Sequence, residues 1–358
     1  MYPTEMTAGS RWVSYRKIGG PFLCEEYVSA LSLEKQLKQI ESKNIIISNA
    51  ERAKKILLNH SYYSIINGYK RHFLIPEEKD KMVDGTNFDH FVELYFLDTD
   101  LTEVIFKYIL FVEKSVRTRL AYTVAMEISD SEQEYLKRSL YTNKRGVRGS
   151  TLDQIDKTIQ NCKTDSVTYY FKCNKSNIPP WIIVQDLSFS TIIHWYDMLE
   201  DNLKYLITKD YFVRSNLREE FHDVFFFNTL HFLREFRNKI AHGKIHFEEK
   251  TKHHLHMESS KHFFNHTLYD SKTIATNQSG KDLFAAVSSI CGLLLDKRVA
   301  EKFLIDLFNT FDKYIDISTG DVTQTINNKT VYELFNLPED LFYRISDYYG
   351  SIRSYWDV

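Results

Sequence analysis

Apolar residues recur at three- and four-residue intervals through most of the chain, the period of an α-helix with one buried face. The pattern is strongest from Phe221 to Gly243, FHDVFFFNTLHFLREFRNKIAHG, where Phe221, Phe225, Phe232, Phe236 and Ile240 form a stripe widened by Phe226, Leu230 and Leu233. This predicts one long, deeply buried helix, with Gly243 supplying a left-handed cap at its end. Toward the N-terminus, Leu33, Leu37 and Ile40 have helical spacing behind Ser32, which can cap, and Glu34 lies in the first turn. A second helix is predicted over AKKILLN, with Ser48 and Glu51 in capping-box spacing before it. With Tyr62, Tyr63 and Tyr69 these two make a helical hairpin. The pattern from Phe88 to about Ile128 is helical again, broken near Asp98-Thr99-Asp100, where Asp100 and Glu103 offer a fresh start. Pro179-Pro180 stop what precedes them, and Trp181, Ile182, Val184, Leu187, Phe189, Ile193, Trp195 and Leu199 then turn inward. AAVSSICGLLLDK and RVAEKFLIDLFNTFDKYID are the last long amphipathic stretches. The expected fold class is all-α, with residues 1–30 as an irregular arm, 31–346 as one helical domain and 347–358 as a tail.

The long helix ends in unusual chemistry. A core helix normally finishes in solvent-facing Lys or Glu, whereas this one finishes in Arg237-Asn238-Lys239-Ile240-Ala241-His242. Asn238 and His242 are four apart and share a face, so the amide can fix the imidazole tautomer. Arg237 and His242 are five apart, roughly 140° around the axis and about 7.5 Å along it. They converge only if the helix distorts at its end or a second copy of the chain faces the first. The plainer alternative is that these are cap residues, since cations favour helix C-termini by about 0.3–1 kcal/mol.

RNKIAH resembles the R-x4-6-H motif of the HEPN (higher eukaryotes and prokaryotes nucleotide-binding) superfamily of helical ribonucleases. The wider pattern is similar to one branch, the Abi-like abortive-infection proteins of bacterial phage defence. HSYYSIINGYKRHFL (60–74), VEKSVRTRLAYTVA (112–125), IPPWIIVQDLSFSTIIHWYDML (178–199), LREFRNKIAH and LFNLPEDLFYRI (334–345) match in the family's order. Gly243 departs from it, for members often carry a second His there. The resemblance implies a HEPN-type helical bundle and a metal-independent endoribonuclease using no cofactor, with His242 as acid or base, Arg237 on the phosphate and Asn238 orienting His242. It further implies RNA as substrate, a homodimer, and restraint by an antitoxin or a regulatory RNA. The alternative is a module that binds RNA or a partner without cleaving it.

Composition narrows the field. The 358-residue chain carries 46 Lys and Arg against 48 Asp and Glu, so no globally basic coat exists and RNA must meet a local patch. The concentrated basic stretch is Lys137, Arg138, Lys144, Arg145 and Arg148, without an intervening acid. It is the candidate grip on a phosphate backbone, or else simply a solvated loop. Glu113 and Arg117 stand in the favourable order for a helical pair, either on the surface or placed to support Arg237. Cys24, Cys162, Cys173 and Cys291 have no zinc-ligand spacing, and the expectation is reduced thiols in a cytoplasmic protein. No run of 18 apolar residues predicts a membrane span. His194, between Ile193 and Trp195, reads as an ordinary core or surface residue. His262 and His266 have the spacing of a zinc pair but no partners to complete a shell. Glycine-rich phosphate loops and G-x-S-x-G are absent, which removes the common nucleotide-cofactor enzymes and α/β-hydrolases.

Overall fold

A computed structural model of the chain describes residues 29–241, 251–271, 280–316 and 318–356. Ser32 caps the first helix by accepting the Lys35 N–H, as its position in sequence predicts. In order the helices are α1 (Leu33–Glu41), α2 (Ala50–His60), α3 (Phe88–Glu127), α4 (Glu132–Tyr135), α5 (Arg148–Gln160), α6 (Val167–Asn174), α7 (Pro180–Ile183) and α8 (Phe189–Asp197). They continue as α9 (Asp201–Phe212), α10 (His222–Ala241), α11 (Met257–Phe263), α12 (Leu283–Leu293), α13 (Lys297–Phe311), α14 (Val331–Phe335) and α15 (Leu341–Ser351). Among the described residues there are isolated β-bridges but no sheet, so the protein is an all-α bundle. The arm expected over 1–30 lies outside the described residues up to position 28, as do Gly243 and Cys24.

The bundle is built around α3. This 40-residue helix packs against α7, α8, α9, α10, α12 and α13. α12 is apolar all round and buried along its whole length, with Ser288 and Ser289 donating to carbonyls four residues back. α15 docks through Leu341, Phe342, Ile345, Tyr348 and Tyr349, and Ile352 just beyond it is buried as well. No helix among the described residues is long and apolar enough to cross a membrane.

Four local expectations are corrected. α3 runs without a break through Asp98-Thr99-Asp100. The Thr99 and Thr102 hydroxyls donate to the Tyr95 and Asp98 carbonyls at 2.8 and 2.6 Å, so these side chains join the helix instead of competing with it. α2 is capped by Asn49, which accepts the Arg52 N–H at 2.9 Å, one residue later than the Ser48 box, while Ser48 receives the Asn87 amide. Tyr63 is exposed, whereas Tyr69 is buried in the hairpin interface and Tyr62 packs partly against the core. Trp181 and Phe221 are likewise exposed, because each sits on a single turn with only one face toward the core.

Asp98 is buried, with one carboxylate oxygen accepting the Tyr69 hydroxyl at 2.5 Å and the other lacking a partner. Burial pushes its pKa up to about 7, against the opposing pull of that hydrogen bond. A carboxyl whose folded pKa lies above its unfolded value of about 3.9 contributes stability below that value, and loses it as pH rises through the folded pKa. Asp98→Asn should therefore gain on the wild type between pH 4 and pH 8 when denaturant midpoints are compared. Parallel pH profiles for the two proteins would sink this assignment.

Candidate functional site

Three elements meet where α10 ends. α3 supplies Glu113 and Arg117, one turn apart on the face that turns inward. The Arg117 Nε–H donates to Glu113 Oε1 at 3.1 Å, and its Nη2–H makes a second, shorter bond to the same oxygen. Arg117 Nη1 donates to the Leu187 carbonyl at 2.8 Å and also to that of Val184, tying the turn after Pro179-Pro180 to α3. This pair is no surface bridge, since the Glu113 side chain is only 7% exposed.

From α10, Arg237 completes the group. Its Nε lies 3.8 Å from Glu113 Oε2, and both atoms are buried without a hydrogen-bond partner. That distance is electrostatic contact short of a hydrogen bond. Nη1 donates to the Asn238 amide oxygen at 3.1 Å. With its side chain 34% exposed, Arg237 thus has one edge against a buried carboxylate and another open to solvent. Such a guanidinium is held by its back and can offer its fork to a phosphate. α10 is helical through Ala241, so Arg237 and Asn238 leave it about 100° apart. His242 lies outside the described residues.

A family model described as Abi-like protein matches residues 55–248, more than half of the chain. The chain belongs to the Abi-like protein family. No curated protein and no solved structure matches it. The matched span runs from α2 past the end of α10, and so contains Glu113, Arg117, the basic stretch and the Arg237-Asn238 pair of this Abi-like chain.

The basic stretch is placed differently from a free patch. Lys137 pairs with Glu134, Arg138 with Asp153 at 2.9 Å, Lys144 with Asp201 at 2.8 Å and Arg145 with Asp197 at 2.9 Å. Arg148 donates to the Tyr141 carbonyl at 3.0 Å. The first three pairs are exposed on both sides, and such pairs contribute roughly 0–1 kcal/mol each. A polyanion can exchange with them at little cost. Arg145 is committed more firmly, because its partner Asp197 is buried and its guanidinium also lies 4.1 Å from the Phe227 ring centre.

An apolar cleft of about 530 Å³ lined by Leu217, Phe221, Phe225, His256 and His262 opens at the other end of α10. Phe225 and Arg237 are twelve residues apart, about 18 Å along the axis, so this cleft plays no part in the Arg237 site. His262 and His266 do approach, with ring centres 5.2 Å apart, yet α11 stops at Phe263, and the described residues contain no group of ligands able to hold a metal. His194, which in sequence looks like an ordinary core or surface residue, is joined beside α8 by His231 and Arg234 of α10. A signal existed: His231 sits among Leu230, Phe232 and Leu233, residues that have to be core.

Proposed function

We propose that this Abi-like protein is a metal-independent endoribonuclease of a phage-defence or toxin-type system, acting in the cytoplasm through a HEPN-type R-x4-H motif. RNA carries its own nucleophile, the 2′-OH, so cleavage requires only proton transfer and stabilisation of charge on the phosphorane. His242 transfers the proton, imidazole being the side chain best suited to general acid–base work near neutrality. Arg237 holds the phosphate through its planar fork, and Asn238 orients His242 through the amide N–H groups that its bond to Arg237 leaves available. The products carry a 2′,3′-cyclic phosphate and a 5′-hydroxyl. The observation that carries this reading is the buried Glu113 behind a partly exposed Arg237, an arrangement that a mere helix cap does not need. Two copies of the chain, paired at their α10 ends, bring Arg237 of one near His242 of the other. A bound antitoxin or RNA restrains the enzyme between infections.

The test is incubation of the purified protein with end-labelled RNA in EDTA. Cleavage that leaves a 2′,3′-cyclic phosphate, and that disappears in His242→Ala, is expected. Retardation of intact RNA would instead identify a binding module. Neither cleavage nor binding would discard both readings.

A further inference from the structure

Polar atoms that are buried and lack a partner collect beside α8. Arg234 Nε, His194 Nδ1 and His231 Nδ1 are all in this state. His231 is 5% exposed, and its ring lies between those of His194 and His253, at centroid distances of 5.3 and 4.9 Å. Arg234 donates through Nη1 to Ser190 Oγ at 3.0 Å and has no carboxylate partner among the described residues. A half-buried guanidinium met only by a hydroxyl is unusual, since desolvated charge is normally paired.

The neighbouring acids are already engaged. Asp197 is bound to Arg145, and Glu235 accepts the Lys252 and His253 backbone N–H groups together with His253 Nδ1 at 3.1 Å. Both imidazoles register the resulting field. His194 and His231 are depressed first by burial and then by Arg234, the latter to about 3. Each is therefore neutral near pH 7 and can donate one N–H to an acceptor.

Ser190 and His194 also line a cleft of about 450 Å³ between α5 and α8, with Ser150, Thr151, Ser188 and Thr191. Its walls are rich in hydroxyls, and its one acid, Asp186, is exposed, so water screens its charge. The volume is many times that of a water molecule, about 30 Å³, and accommodates a tetrahedral oxyanion with an attached sugar. We propose that this cleft binds a phosphate group, held by His194 and the hydroxyls of α5 and the start of α8, with Arg234 reaching the cleft wall through Ser190 and His231 packed behind His194. Arg234 Nε–H lacks an acceptor, either imidazole can carry its proton on the nitrogen that faces a ligand, and a phosphate brings several acceptors. The proposal is independent of the ribonuclease reading, because none of these residues belongs to the cleavage motif.

The phosphate could come from a free monoester or from an RNA backbone. To isolate the cleft, inorganic phosphate is titrated into Arg237→Ala, which lacks the proposed cleavage-site ligand, with calorimetry and proton NMR of the histidine ring C–H signals. Saturable binding of one phosphate per chain is expected, with two histidine signals shifting. Arg234→Gln should weaken it at least tenfold. His194→Gln should remove one of the shifting signals, a readout that stands even if Arg234→Gln does not fold. A 2′-O-methyl oligoribonucleotide, which cannot be cleaved, distinguishes the sources. Displacement of phosphate by it identifies a backbone phosphodiester, while saturation by phosphate and AMP without displacement identifies a free monoester. Absence of saturable shifts, or equal phosphate affinity in Arg234→Gln, would overturn the site.

Discussion

Glu113→Ala should cost the fold about 3 kcal/mol and take RNA cleavage down with it. Removing one partner of a buried ion pair typically costs about 3–5 kcal/mol, because the remaining charge is left without compensation. The lower end applies here, since Arg237 is a third exposed and Arg117 keeps its bonds to the Val184 and Leu187 carbonyls. Glu113→Gln separates stability from positioning. It retains an acceptor for Arg117 but no charge for Arg237, so it should lose less stability while cleavage remains impaired. Denaturant midpoints for the three proteins, with RNA cleavage measured well below the transition, give both numbers. If Glu113→Ala unfolds at the wild-type midpoint, the buried pair is not what anchors this face of α3. If Glu113→Gln cleaves at the wild-type rate, the carboxylate does not position Arg237.

The period of the apolar residues was enough to locate α10, because its stripe is long and the helix must turn that face inward. The Ser32 cap was equally readable, being a local rule satisfied by a local contact. Polar residues inside a core helix mislead, however. Asp98-Thr99-Asp100 looks like a stop, yet the threonine hydroxyls find carbonyls within the helix and Asp98 finds Tyr69, 29 residues away. The same limit governs the site. Spacing predicts that Glu113 and Arg117 pair, but an i,i+4 pair has the same sequence on a surface as in a core. Only the packing of α10 on α3 brings Arg237 to the other carboxylate oxygen. The basic stretch has no acid within it, and its partners Asp197 and Asp201 come from the end of α8 and the start of α9, with α5, α6 and α7 intervening along the chain. His194 looked unremarkable because α10 brings His231 and Arg234 to it from about 40 residues further along.

Arg237→Ala and His242→Ala should each reduce cleavage by orders of magnitude without unfolding the protein. Loss of a general acid or base is worth about 10²–10⁴-fold. Loss of an oriented cation on the phosphorane is worth about 10²–10³-fold, judged by removal of single transition-state donors elsewhere. Because the two groups act on one transition state, the double variant should be little slower than the worse single one. Arg237→Lys should recover only part of the rate, since a point charge cannot reproduce the fork. If the site is shared between two copies, mixing inactive Arg237→Ala with inactive His242→Ala under subunit exchange should restore activity. Half of the randomly mixed dimers then hold one intact pairing of the two possible, about a quarter of the wild-type rate under two-fold symmetry. A site complete within one chain gives no restoration, because no chain in the mixture carries both residues. The sequence spacing motivates the shared arrangement: on a regular helix a separation of five residues corresponds to roughly 140°, and a partner related by a two-fold axis would supply the missing direction.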